Sequence, residues 1–212
     1  MRRFFGGGAP QVDRLVVGLG NPGDAYAATR HNVGFQVASR LAKRARLEFA
    51  TKAAESRIAE GSLGSVRIAI ARPQTFMNDS GRAVRKLLDR YRLEPSDMLV
   101  VTDDVDLPLG KLRVRESGGS GTHNGMRSIV AAIGEGFPRL RLGVAPADPV
   151  AEIAADLAEG GWPGGDLAEY VLAPFAADER EVADAMVVKA AEAAEVAIRD
   201  GVRRAMDLFN GL

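Results

Sequence analysis

The sequence predicts an α/β fold, a three-layer sandwich in which helices flank a twisted, mostly parallel mixed sheet. Three observations predict it. Apolar runs of strand length recur at residues 14–19, 66–71, 98–101 and 140–144. Segments with apolar residues at helical spacing alternate with them, the order expected when helices cover both faces of a sheet. Two adjacent strand-like stretches over residues 56–72 read as a hairpin, so the sheet is not wholly parallel.

Taken in order, Arg14-Leu-Val-Val-Gly-Leu19 is a buried strand, followed by a Gly/Asn/Pro turn. A helix begins near Asn32, with Val33, Val37 and Leu41 on one face. The hairpin follows, its second strand at Val66-Arg-Ile-Ala-Ile-Ala71, and then a helix capped by Asp79 or Ser80 and reaching Tyr91. Met98-Leu-Val-Val101 is the next buried strand, ending at Thr102-Asp103-Asp104. Residues 110–115 alternate basic and apolar, a half-buried strand with a basic face. A glycine-rich loop from Ser117 to Gly125 leads into a short helix, and residues 140–144 form another strand. Residues 146–167, rich in Pro, Gly, Ala and acid, read as a mobile loop, and alanine-rich helices fill residues 177–209. Residues 1–12 read as a flexible tail and residues 13–212 as one domain.

Composition excludes several chemistries. The chain has 212 residues, of which 46% are apolar, enough for one buried core. It has no cysteine, so neither disulfides nor thiolate metal sites are possible, in keeping with a reducing cytoplasm. His31 and His123 are the only histidines, and neither lies in an H-E-x-x-H pattern, so no metal is expected. The start lacks the apolar run of a signal peptide, and no stretch has membrane-spanning length. The 28 basic and 28 acidic residues cancel, so any RNA contact must come from a local basic patch.

One motif misleads. Gly18-x-Gly20-x-x-Gly23 follows a strand, as a dinucleotide fingerprint does. In that fold a helix opens within the glycines, to meet the pyrophosphate. Here Pro22 interrupts the motif, the helix starts almost ten residues later, and no acidic residue ends a second strand at the ribose-reading distance. A cofactor is therefore not expected, although glycines that only make a tight turn leave Asn21 unexplained.

A different set of residues points to chemistry. His31 stands where a helix begins, and the partial positive potential there favours neutral imidazole, the form that takes a proton from water. Reactive groups in open α/β sheets gather beyond the carboxyl ends of strands. Asn21 follows the first strand, Asn78 follows the strand at 66–71, Asp103 ends the strand at 98–101, and Asn124 lies in the glycine-rich loop. If those ends share one edge, a histidine, an aspartate and three carboxamides converge. Asp103 can hold one imidazole N–H, and carboxamides can donate to an oxyanion. Lacking cysteine and any G-x-S-x-G elbow, the set favours direct attack by water on an ester. Taken singly, each has a plainer reading: a helix cap for His31, turn chemistry for the others.

At these residues the chain resembles the bacterial-type peptidyl-tRNA hydrolases. The matching segments are residues 16–23 (VVGLGNPG), Tyr26 with 27–34 (AATRHNVG), 75–81 (TFMNDSG), 103–110 (DDVDLPLG) and the loop ending His123-Asn124-Gly125. The resemblance runs from about residue 14 to the C-terminus. It implies hydrolysis of the ester between a peptide and the 3′-terminal ribose of tRNA, with His31 as general base, Asp103 as its support and Asn21 near the scissile ester. It implies that Tyr26, Phe76, Asn78 and Asn124 line the site for the terminal adenosine and the first peptide residues, with Met77 packed beside them. Arg113, Arg115 and Arg141 match phosphate-gripping positions for the acceptor stem and CCA end, and Lys111 could add to them. A monomer is implied as well. Thr102 stands where many relatives carry histidine or another larger residue, Thr122 replaces a usual glycine, and the stretch from Ala151 to Gly165, a flap in relatives, is longer than usual. The alternative on the same scaffold is a noncatalytic RNA-binding relative.

Overall fold

The computed structural model describes residues 11–146 and 166–211. Seven strands form one sheet in the order β2-β3-β4-β1-β5-β7-β6. They are β1 (Arg14–Gly18), β2 (Thr51–Ala53), β3 (Ser56–Leu63), β4 (Val66–Pro73), β5 (Met98–Pro108), β6 (Leu112–Arg115) and β7 (Arg139–Ala145). The four central strands β4, β1, β5 and β7 run parallel, and β2, β3 and β6 join antiparallel. The sheet is thus mixed, as expected, with its antiparallel pairs at the two edges.

Strand periodicity of two sorts side chains into two apolar layers. Val16, Ile68, Ile70, Leu99, Val101 and Leu140 face one core, with α1 (Val33–Arg44), α5 (Arg180–Arg199) and α6 (Val202–Phe209). Leu15, Val17, Ala69, Ala71, Met98 and Val100 face the other, with α2 (Ser80–Tyr91) and α3 (Asn124–Ile133). The short α4 (Leu167–Leu172) packs against the turn that precedes α1.

The structure corrects two expectations. The strand at 98–101 does not end at Asp103. It continues to Pro108 because β7 supplies a parallel partner, pairing Thr102, Asp103 and Asp104 with Arg141, Leu142 and Gly143 before the register shifts. Asp103 therefore sits within a strand. Neither Asp79 nor Ser80 caps α2 by its side chain: the chain enters through a 3-10 turn, Met77–Asp79, and the Ser80 hydroxyl donates to the Met77 carbonyl at 2.8 Å. β2, only three residues long, and α4 escaped sequence reading. Residues 1–10 of the expected tail and 147–165 of the expected loop lie outside the described residues.

Gly18 of the misleading motif has a packing role. A Cβ on Gly18 would come within 2.2 Å of the Gly34 carbonyl oxygen, and one on Gly34 within 2.5 Å of the Leu19 and Val101 carbonyls. Strand β1 and helix α1 thus touch backbone to backbone, which seats the turn before α1 against the end of β1. Gly23, at φ 104°, takes a conformation that L side chains rarely adopt. Gly34→Ala should therefore overpack this contact and lower unfolding free energy by about 1–3 kcal/mol. Chemical denaturation checks this, with no change expected in the denaturant slope.

Candidate active site

β1 ends at Gly18, in register with Val101, whereas β5 runs on. Beyond that end lies a cleft of about 940 Å³. Asn21, His31, Asn78, Asp103 and Asn124 all line it, so the strand ends and loops do share one edge. Phe76, Met77, Arg115 and Arg141 line it too. Tyr26 and Arg113 do not. Tyr26 sits in the 3-10 turn Asp24–Tyr26, where its carbonyl accepts from the Thr29 amide and hydroxyl.

Asp103 organises the centre. Its Oδ2 lies 2.9 Å from His31 Nδ1 and its Oδ1 3.0 Å from His123 Nε2. Burial pushes this carboxyl up, but the two imidazoles outweigh it, His123 first and His31 second, and hold it well below the usual carboxylate range. An ionised carboxylate only accepts, so both facing nitrogens carry protons. His31 Nε2 then bears the lone pair, and it has no partner among the described residues. His123 differs. The Met126 amide donates to its Nδ1 at 3.2 Å, capping α3, and Thr102 Oγ1 lies 2.8 Å from Nε2. Both nitrogens of His123 are therefore engaged, and geometry separates the two rings: His31 is free to accept a proton from the cleft, and His123 is not.

Sequence reading missed this second imidazole. The signal available was its place between the glycine-rich loop and a helix start, where a ring nitrogen can cap. His31, Asp103 and His123 also offer ligand atoms within 4.8 Å of one another. Tetrahedral zinc, with bonds of about 2.0 Å, brings its ligand atoms to about 3.3 Å and takes the protons off both facing nitrogens. The geometry found is instead that of two N–H donors converging on one carboxylate.

Asn21 is held on three sides. Its backbone N–H donates to Asn32 Oδ1 at 2.8 Å and its carbonyl accepts from Asn32 Nδ2 at 2.9 Å. Its own Oδ1 accepts from the Met77 amide at 2.8 Å. That last bond fixes the amide orientation and leaves Nδ2, a donor, for the cleft. Asn32, buried beneath it, is a second residue that sequence reading did not single out. Met77 is 4% exposed and contributes chiefly its backbone here, whereas Phe76 is 59% exposed and offers a bare ring at the cleft wall. Asn78 and Asn124 are exposed.

The basic face of β6 continues onto β7, where Arg113 opposes Arg141 and Arg115 opposes Arg139. Like charges directly opposite repel, and the four differ in how they are balanced. Arg139, 2% exposed, donates to the Gly119 carbonyl at 2.8 Å and stacks on Phe137 at 4.3 Å, tying down the glycine-rich loop. Arg141 pairs with Asp104 through Nε and approaches Asp106 at 3.7 Å. Burial pushes the Asp104 carboxyl up, against Arg141, which lowers it. Arg113 and Arg115 have no ion pair among the described residues.

No helix among the described residues is long and apolar enough to cross a membrane. A family model described as peptidyl-tRNA hydrolase matches residues 15–212. The peptidyl-tRNA hydrolase of Roseiflexus sp. (strain RS-1) is 50% identical over 198 residues, covering 92% of this chain and 85% of that protein. That of Chloroflexus aurantiacus (strain ATCC 29366 / DSM 635 / J-10-fl) is 46% identical over 202 residues, covering 93% and 99%. Among solved structures, peptidyl-tRNA hydrolase from Acinetobacter baumannii superposes with a TM-score of 0.81 at 30% identity, covering 96% of this chain and 97% of that one. With that match across nearly its whole length, the chain belongs to the peptidyl-tRNA hydrolase family.

Proposed function

We propose that this protein hydrolyses the ester joining a peptide, or an N-blocked aminoacyl group, to the 3′-terminal ribose of tRNA, with His31 as general base. The observation that carries the reading is the His31–Asp103 pair, which leaves one unpartnered imidazole nitrogen on the cleft. Water loses a proton to His31 Nε2 as its oxygen attacks the ester carbonyl carbon. Asp103 steadies the imidazolium through Nδ1–H. The carbonyl oxygen becomes an oxyanion, and Asn21 Nδ2 is the donor already oriented to receive it. Collapse breaks the bond to the ribose oxygen, which takes the proton back from His31. The products are a free tRNA and a peptide carboxylic acid, which releases its remaining proton to solvent to become the carboxylate.

In this reading Phe76 stacks on a flat or apolar part of the substrate, and Asn78 and Asn124 bond to the terminal adenosine or the peptide. Arg113 and Arg115 meet phosphates of the acceptor stem. The protein acts as a cytoplasmic monomer, without a cofactor.

His31→Ala should abolish turnover of an N-blocked aminoacyl-tRNA while largely sparing binding of uncharged tRNA. Full activity would remove the base, and binding without release by the wild-type protein would favour a noncatalytic RNA-binding role. Asp103→Asn should slow the reaction by about 10² to 10⁴-fold. Its effect on stability has a definite sign. A carboxyl held lower in the folded than in the unfolded chain stabilises above the unfolded value of 3.8 and loses this as pH falls through the folded one. The gap in unfolding free energy between wild type and Asp103→Asn should thus be full at neutral pH and narrow below about pH 4. Denaturant titrations at pH 7 and pH 3 check it.

The arginines should separate by salt dependence. Replacing Arg113 or Arg115 with Ala should each reduce the slope of log binding constant against log salt by about 0.7–0.9. Arg141→Ala should change it less, since Asp104 and Asp106 already compete for that cation. Equal slopes for all three variants would contradict the division.

A further inference from the structure

Arg30 precedes the base in sequence, and the proposed chemistry does not use it. It is 6% exposed. A buried guanidinium is tolerated only where its charge and donors are matched. Nη2 pairs with Glu179 Oε2, and Nη1 donates to the Pro174 carbonyl at 2.8 Å, with the Ala173 carbonyl at 3.4 Å. Its plane lies over the Tyr170 ring, with Cζ 4.2 Å from the centroid. The backbone reinforces the link: Arg30 N–H donates to the Ala173 carbonyl at 3.1 Å, and Thr29 bridges to Pro174.

One side chain thus joins the 3-10 turn Arg30–Asn32 to the segment from Tyr170 to Glu179. That segment begins in α4, whose Leu167, Val171 and Leu172 form part of the cleft wall. The Tyr170 hydroxyl in turn donates to the Val144 carbonyl at 2.6 Å, tying α4 to the end of β7. The His31 ring makes a single side-chain hydrogen bond, to Asp103, among the described residues. That bond and the His123 ring, 4.8 Å away between centroids, act on the imidazole itself, whereas its backbone is held by Arg30 on one flank and by the Asn32–Asn21 pair on the other.

We propose that Arg30 is a positioning residue for the reaction, clamping α4 to the His31 turn and so setting the angle at which the imidazole meets Asp103 and the cleft. Lysine cannot replace it, because the site needs a planar cation that stacks on Tyr170 while donating in two directions. The inference rests on His31 being the base.

The test uses the full chain carrying Arg30→Met, assayed well below its melting temperature on N-blocked aminoacyl-tRNA. NMR of the imidazole protons supplies a readout that a merely structural role would not move. His31 Nδ1–H and His123 Nε2–H meet the same carboxylate from different elements and their rings touch, so the change at His31 is read relative to that at His123. The expected result is a fall of about 10- to 100-fold in kcat/KM, the scale of a small misplacement of a catalytic group. The His31 resonance should shift or broaden more than that of His123, and Arg30→Lys should recover only part of the loss. An unshifted His31 resonance, or kcat/KM within about twofold of wild type, overturns the proposal. If Arg30→Met does not fold, Glu179→Gln, which keeps the guanidinium and its carbonyl acceptors, is judged by the same two measurements with smaller changes expected. Failure of the base assignment is seen separately, as activity retained in His31→Ala, because the resonance of His31 reports its placement whatever its role.

Discussion

The site depends on one carboxylate accepting from two imidazoles. Buried and alone, Asp103 would favour protonation, and a protonated carboxyl could not hold both rings. The two N–H groups at 2.9 and 3.0 Å keep it ionised, and its charge in turn fixes which nitrogen of each ring carries the proton. This mutual arrangement requires Asp103 to stand clear of its neighbour β1 while remaining in a strand. The pairing of β5 with β7 beyond the end of β1 meets that requirement. The histidines then approach from different elements, His31 from the turn before α1 and His123 from the N-terminus of α3. Their ring centroids are 4.8 Å apart, at 42° between planes.

A second layer of bonds sets what faces the cleft. Asn32 closes a reciprocal pair with the Asn21 backbone, and Met77 takes up the Asn21 side-chain oxygen. An amide so held presents N–H rather than C=O, and a donor placed in advance needs no reorganisation as negative charge develops. Two glycines, one of them from the motif that suggested a nucleotide site, make this possible. Gly18 and Gly34 let α1 approach β1 closely enough for the turn at residues 30–32 to reach the loop carrying Asn21. Of the motif's three glycines, Gly18 thus serves backbone packing, Gly20 makes room for the Phe35 ring and Gly23 takes the positive-φ turn.

Much of this was legible in the sequence, and the remainder was not for physical reasons. Short apolar runs located β1, β4, the start of β5 and β7, because buried central strands have little choice of composition. The convergence of Asn21, Asn78, Asp103 and Asn124 followed from the rule that loops at carboxyl strand ends meet at one edge. The far half of β5 was hidden, since Thr102-Asp103-Asp104 reads as turn chemistry until a partner strand is known to lie beside it. Charge pairing was hidden for the same reason. Arg141 counted as a free cation in the sequence, yet the parallel β5–β7 register sets Asp104, two residues beyond its partner Thr102, against it, and Asp106 follows in the register shift. His123 was visible as a residue, but its bonds to Asp103, Thr102 and the Met126 amide are all tertiary or capping contacts.

Zero net charge and a tRNA ligand are reconciled by the period of two along β6 and β7. Leu112, Val114, Leu140 and Leu142 turn to the apolar core, so the intervening residues 113, 115, 139 and 141, all arginine, must share the opposite face. Four cations on two paired strands would repel if left alone. The fold withdraws two of them: Arg139 is buried against carbonyls and an aromatic ring, and Arg141 is matched by acids from β5. What remains for a polyanion is a small positive surface at the rim, beside a cleft whose centre carries a carboxylate. That division leaves Arg113 and Arg115 as the cations of this strand face without an acidic partner among the described residues, while Arg30, beside His31, has its charge matched by Glu179.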